Sequence, residues 1–161
     1  MNGSKTHSKD RSIILLDLNY TLVANSPKHG ATPERMEKRL AGERYRQWLV
    51  ELVCPHTVIL ISARPDRWLQ ATLVSIEQKT GWRPEAACFA PRGWWNPPAI
   101  KEHLLHREVF QQWGRNSKYL AIESNPRSRA MYAKFGITSL WVNSSGKSLR
   151  NERRLIHDLS C

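Results

Sequence analysis

The chain has 161 residues, enough for one domain with a real core, and 40% of them are apolar and 24% charged. No apolar run approaches the length of a membrane span: Val50 to Val53 is broken by Glu51, and Val58 to Ile61 is too short. Lysine and arginine number 25 against 14 acidic residues, a net charge of +11 that favours polyanionic partners, nucleic acid or nucleotides first, over a merely solubilising surface.

Residues 1–11 read as a flexible basic tail with none of the apolar character of a signal peptide. Ser12 to Asp17 is continuously apolar up to its last residue, the pattern of a fully buried strand. After a breaker-rich loop, Thr32, Pro33 and Glu34 open a helix predicted to run to about Val53. Its inner side would carry Met36, Leu40, Tyr45, Trp48, Leu49 and Leu52. Thr57 to Ile61 is a second β-branched strand, followed by Ser62-Ala63-Arg64-Pro65-Asp66 and a helix from Arg67 to Thr80 that Gly81 stops. Glu85 to Ala90 is a weaker strand, Pro91 to Pro98 an irregular loop, and Ala99 to Trp113 an amphipathic helix. Tyr119 to Ile122 is a third buried strand, Pro126 to Phe135 a helix closed by Gly136, and Thr138 to Asn143 a last strand. The remainder, 144–161, is a basic segment expected to pack on the same domain as residues 12–143.

Strands that alternate with helices predict an α/β fold: a three-layer sandwich around a central, mostly parallel sheet. Ligands of such sheets sit beyond the carboxyl ends of the strands. Three buried runs each end there in polar residues: Asp17 with Asn19, Ser62 with Arg64, and Glu123 with Asn125. Any one of these could be a turn or a helix cap, but three on one edge of one sheet point to a site. Cys54, Cys88 and Cys161 are widely spaced and form no CxxC, so reduced thiols are expected rather than a disulfide framework or a zinc site. With no leader, the expected location is cytoplasmic. The six histidines show no metal spacing; His103 and His106 are expected to be surface or core residues.

In this order and spacing, the segments Asp17-Leu18-Asn19-Tyr20-Thr21, "ILISARPD" with Ser62, "PPAIKEHLL" with Lys101, and "YLAIESNPRSRAMYAKFGI" with Glu123 resemble the four motifs of the haloacid dehalogenase (HAD) superfamily. Within it, "SARPD", "AIKEHL" and "RSRAMYAKFGI" look most like the phosphatase domain of polynucleotide kinase-phosphatases. The resemblance implies a magnesium-dependent phosphatase in which Asp17 attacks phosphorus and forms an aspartyl-phosphate. It further implies that Asp17, Glu123 and the Asn19 backbone carbonyl hold Mg2+, that Ser62 donates to the phosphoryl group, and that Lys101 neutralises charge, with Arg92 a rival for that place. Thr21 and Arg64 fall on the substrate side of these motifs.

Two positions depart from the pattern. Asn19 stands where the phosphatases carry an aspartate that protonates the leaving oxygen and then activates water, and an amide does neither. That help contributes roughly 10²–10⁴ in rate. Glu123 replaces the usual aspartate, with Ser124 after it in place of a second acid. Four readings follow. Another group or water replaces the acid; or the substrates have good leaving groups; or the chain binds phosphorylated ligands without turnover; or Asn19 was introduced to trap a complex.

Neither segment 22–56 nor the stretch between Ser62 and Lys101 has room for a separate cap domain. By the resemblance, such an open site suits large substrates. Trp94 and Trp95 beside Arg92 have the character of a base-stacking platform, worth about 1–3 kcal/mol per base, or else are core and incidental. Lys147, Arg150, Arg153 and Arg154 could track phosphates or form a solvated helix face. The sequence therefore predicts a phosphohydrolase acting on a nucleotide or nucleic-acid end. The alternative is an impaired module that binds nucleic acid or nucleotides. No membrane partner is expected, and the oligomeric state is open.

Overall fold

In the computed structural model, which describes residues 12–27, 33–91 and 96–143, five strands form one sheet with every neighbouring pair parallel. The strands are β1 (Ile13–Asp17), β2 (Val58–Pro65), β3 (Ala86–Ala90), β4 (Tyr119–Glu123) and β5 (Thr138–Trp141), in the spatial order β3-β2-β1-β4-β5. The chain starts at the centre, builds outward through β2 and β3, then returns across β1 to lay down β4 and β5. The crevice where the order reverses lies at the carboxyl ends of β1 and β4, where such sheets bind ligands. This is the α/β sandwich that the alternation of strands and helices predicts.

Strand parity divides the core in two. Ile14, Leu16, Val58, Leu60 and Ile122 pack with Leu49, Val53, Leu73 and Ile76 on one face. Those partners come from helices α2 (Gln47–Val53) and α3 (Leu69–Thr80). Leu15, Ile59, Ile61 and Ala121 pack on the other face with Ile100, Leu104, Met131 and Tyr132. There the partners come from α4 (Pro97–Leu104) and α6 (Pro126–Lys134). Side chains alternate along a strand. Asp17 therefore has the parity of Leu15, and Glu123 that of Ala121, and both point toward the α4 side.

The long helix expected from residue 33 to about Val53 is two helices, α1 (Pro33–Gly42) and α2, with an extended link between them. The link has its own hydrogen bonds: Ala24 N–H donates to the Arg44 carbonyl at 2.8 Å and Arg46 N–H to the Leu22 carbonyl at 2.8 Å. Lys79 of α3 satisfies carbonyls at the end of α1, donating to Leu40 and Ala41 at 2.7 and 3.0 Å, and to Glu43 just beyond it at 2.8 Å. The last turn of a helix leaves such carbonyls unpaired, and a partner there stabilises the break. The break turns Glu43 and Arg46 inward, where both are buried.

Two other elements differ from expectation. Strand β2 continues through Ser62 to Pro65, with a register shift against β3 between those residues. The helix expected at Ala99 starts at Pro97, capped by the Asn96 side chain on Ala99 N–H, and is π-helical from Leu105 to Val109 before ending as α5 (Phe110–Trp113). No helix among the described residues is long and apolar enough to cross a membrane. Cys54 and Cys88 are free thiols. His106 lies edge-on to Phe110 and Phe135, an aromatic packing role.

Asn125 joins β4 to α6. Its Oδ1 accepts the Arg127 N–H at 2.9 Å, and its own N–H donates to Glu123 Oε1 at 2.9 Å. Asn125→Ala is expected to lower the free energy of unfolding by about 1 kcal/mol through the lost cap, as read from urea denaturation with an unchanged m-value.

Candidate active site

Register brings the strand-end residues level. Asp17 pairs with Ile61, one residue short of Ser62, and Leu16 pairs with Ile122, one residue short of Glu123. Onto Asp17 and Glu123 descends Lys101, on the buried side of α4 with Ile100 and Leu104. Its Nζ donates to Asp17 Oδ1 at 2.6 Å and to Glu123 Oε2 at 2.5 Å. All three side chains are almost wholly buried, with relative exposures of 3% for Lys101, 8% for Asp17 and 1% for Glu123. Three residues that are far apart in sequence thus meet at one place; Arg92, the rival to Lys101, lies outside the described residues.

The electrostatics follow from that crowding. Burial works against the Lys101 charge, but Asp17 and Glu123 together hold its affinity for the proton above the ordinary range. Burial, and then the neighbouring charge of Asp17, push Glu123 up to about 7, against the pull of Lys101 and the Asn125 N–H. Two buried carboxylates share one ammonium, so the cluster is short of positive charge. Among the described residues, no three His, Cys, Asp or Glu side chains converge as a metal cluster. The hydroxyl of Tyr132 is fully buried beside these charges and has no hydrogen-bond partner among the described residues.

Thr21 and Ser62 complete this side. The motifs put Thr21 on the substrate side; in the structure its hydroxyl donates to Asp17 Oδ2 at 2.6 Å. It also accepts the Ser124 N–H at 3.1 Å and lies 3.0 Å from Ser124 Oγ. The side chain is wholly buried, so it orients the carboxylate rather than meeting solvent. Ser62 is buried, and its Oγ accepts the Arg64 N–H at 3.1 Å. A hydroxyl that accepts still has its proton to donate.

A second charged cluster surrounds Asn19. Its Oδ1 accepts from Arg39 Nη2 at 2.7 Å and from Arg64 Nη2 at 3.1 Å. Glu43 binds both arginines: Arg64 through both terminal nitrogens, with the Nη2–Oε1 contact very short, and Arg39 Nε at 3.3 Å. Arg64 Nη1 also donates to Thr72 Oγ1 at 2.9 Å, and the Tyr45 hydroxyl donates to Glu43 at 3.1 Å. Arg64, expected to meet substrate, has a side chain only 1% exposed and reaches the site through Asn19. Arg46, buried, fixes the same loop by donating from Nε to the Thr21 carbonyl at 2.9 Å. Between the two clusters Tyr20 has a left-handed backbone, φ +63°, costing roughly 1–2 kcal/mol in a residue with a Cβ. Its N–H donates to Ser26 Oγ at 2.9 Å and its hydroxyl to the Pro27 carbonyl at 2.5 Å.

Sequence reading missed Arg39, Glu43, Arg46 and Tyr132. The Arg39–Glu43 pair at i, i+4 looks like a solvated helix face, and nothing local in the sequence signals otherwise. Arg92, Trp94 and Trp95, together with the basic residues beyond 143, lie outside the described residues.

No protein-family model and no curated protein sequence matches the chain. Among solved structures, it is similar to the HAD domain of the effector protein Lem4 from Legionella pneumophila. The TM-score is 0.52 at 12% identity, over 93% of this chain and 94% of that one. An inactive mutant of the same domain matches with a TM-score of 0.52 at 13% identity, covering 93% of both chains. The fold is therefore HAD-like. The likeness to the phosphatase domain of polynucleotide kinase-phosphatases remains one of sequence motifs.

Two measurements check the electrostatics. A carboxyl whose value rises on folding stabilises the protein most below its unfolded value and loses that contribution as pH rises through the folded value. The thermal midpoint of metal-free protein is expected to fall between pH 5 and pH 8, and to fall less in Glu123→Gln, as read by calorimetry across that range. Glu43→Gln leaves two arginines without their shared counter-ion and is expected to cost about 3–5 kcal/mol, measured by chemical denaturation.

Proposed function

We propose that the chain is a phosphate-releasing hydrolase in which Asp17 attacks phosphorus, the phosphoryl group coming from a nucleotide or a nucleic-acid end. The observation that carries this reading is the buried contact of Lys101 with Asp17 and Glu123 at 2.6 and 2.5 Å. Merely structural pairs rarely bury two acids against one base, because the uncompensated charge is costly. A site awaiting further positive charge accounts for that surplus.

Each residue then has work to do. Lys101 holds Asp17 in place through their hydrogen bond and opposes the charge of the incoming phosphoryl oxygens. The Thr21 hydroxyl fixes the rotation of the Asp17 carboxylate, so that attack does not first require ordering it. Ser62 directs its hydroxyl proton to a phosphoryl oxygen. A magnesium ion fits the donor set, since the two buried carboxylates are hard oxygen ligands short of a cation. Asp17, Glu123 and the Asn19 backbone carbonyl would hold it, and when bound it supplies charge that stabilises the phosphoryl oxygens. The net charge of +11 supports a polyanionic substrate and a cationic approach to the site.

The test is phosphate release with magnesium present, combined with acid-quench labelling of the protein from a radiolabelled donor. Wild-type protein is expected to release phosphate and to carry label on Asp17. Asp17→Asn is expected to do neither, and Lys101→Met to lose roughly 10²–10³ in kcat. Absence of release and label, together with oligonucleotide binding that weakens steeply with salt, would show a binding module instead.

A further inference from the structure

The amide of Asn19 is held in one orientation. Both groups on its Oδ1, Arg39 Nη2 and Arg64 Nη2, belong to guanidinium ions, which donate and never accept. The oxygen must therefore face the arginines and the Nδ2 donor must face away from them. Among the described residues, Nδ2 donates to nothing. Among the described residues, Arg39 and Arg64 have only Glu43 between them as a counter-ion, so within these the cluster has one positive charge in excess. The side chain of Arg39 is 13% exposed, whereas those of Arg64 and Glu43 are 1% exposed, so Arg39 is the member within reach of a ligand. This corner of the site offers a fixed hydrogen-bond donor and a positive field, but no proton.

We propose that the chain takes phosphoryl groups from oxygens that depart as stable anions, those of phosphoanhydrides, acyl phosphates or aryl phosphates, with Asn19 Nδ2 and Arg39 stabilising the departing oxygen in place of a proton donor. This rests on Asp17 as the nucleophile and narrows the substrate: a nucleotide would give up an anhydride-linked phosphoryl group, not a sugar ester at a nucleic-acid end. In the first step an Asp17 carboxylate oxygen bonds to phosphorus. The bond from phosphorus to the leaving oxygen breaks, and its electron pair leaves on that oxygen without a proton. In the second step a water oxygen bonds to phosphorus and the Asp17–phosphorus bond breaks, returning the carboxylate. The water protons pass to the phosphate product and to solvent. A neutral donor gains strength as negative charge develops on its acceptor, which suits Asn19 to the first step. It gives no help in deprotonating water, so the phosphorylated protein accumulates.

The experiment uses the full chain with magnesium and a graded set of donors. These are aryl phosphates of phenols differing in acidity, acetyl phosphate, a nucleoside diphosphate, glycerol phosphate and a 3′-phosphorylated oligonucleotide. Values of kcat/KM for the last two are expected to lie about 10²–10⁴ below those of the activated donors, the range an acid would otherwise supply. A burst of leaving group near one equivalent per protein is expected with the best donors. Which activated donor leads distinguishes the anhydride, acyl and aryl sources. Arg39→Met is expected to lower kcat/KM most for the poorest leaving groups, whereas a purely structural role would lower all donors alike. If that variant does not fold, the series on the unaltered chain decides by itself. Turnover that is indifferent to the leaving group overturns this inference and leaves Asp17 as nucleophile. No release from any donor and no label on Asp17 overturns both.

Discussion

A lysine ammonium buried between two carboxylates organises this molecule. Lys101 can reach Asp17 and Glu123 only because β1 and β4 are adjacent, in parallel register, and of equal parity at their ends. It can be buried only because α4 packs on that same face through Ile100 and Leu104. Withdrawing three charges from water is costly, and their mutual attraction offsets the cost only while the geometry is kept. The sheet order, the position of α4 and the cap of α6 at Asn125 are thus coupled to one cluster. A shift of one residue in β1 or β4 would point a carboxylate at the opposite face.

The fold was legible because its signals are local and repeated. Continuous apolar runs marked β1, β2 and β4, and Gly81 and Gly136 follow α3 and α6 in left-handed conformations that favour glycine. The places where sequence reading failed are those where long-range contacts override local preference. Residues 33–53 carry a helical pattern throughout, yet the helix stops at Gly42 because Lys79, on α3, caps its carbonyls and Glu43 is drawn into a buried pair. Ser62 to Pro65 reads as a turn, yet continues β2, because Arg64 has Glu43, Thr72 and Asn19 to bind on the inner side.

Of the candidate site, the half that depends on strand ends was visible and the half that depends on the α1–α2 link was not. Asp17, Ser62 and Glu123 could be found because a polar residue ending a buried strand is conspicuous. Lys101 needed a motif to single it out from the other lysines. Arg39 and Glu43 had no such signal: charged residues four apart on a helix ordinarily mean a solvated face. Only the fold reveals that this face is turned inward against residue 19.

That hidden half gives the amide at position 19 its sense. An aspartate between Arg39 and Arg64 would be held as an ion by two guanidinium groups, and a carboxylate held as an ion is a poor proton donor. It would also neutralise the one excess charge of the Arg39–Glu43–Arg64 cluster. Asparagine keeps the acceptor that both arginines need, preserves the positive field, and turns a donor outward. The arginines, the glutamate and the amide thus form one connected cluster. Around Asp17 the fold gathers surplus negative charge, and around Asn19 surplus positive charge. A phosphoryl donor lying across the two would place its transferring group toward the first, once cations are supplied, and its departing anion toward the second.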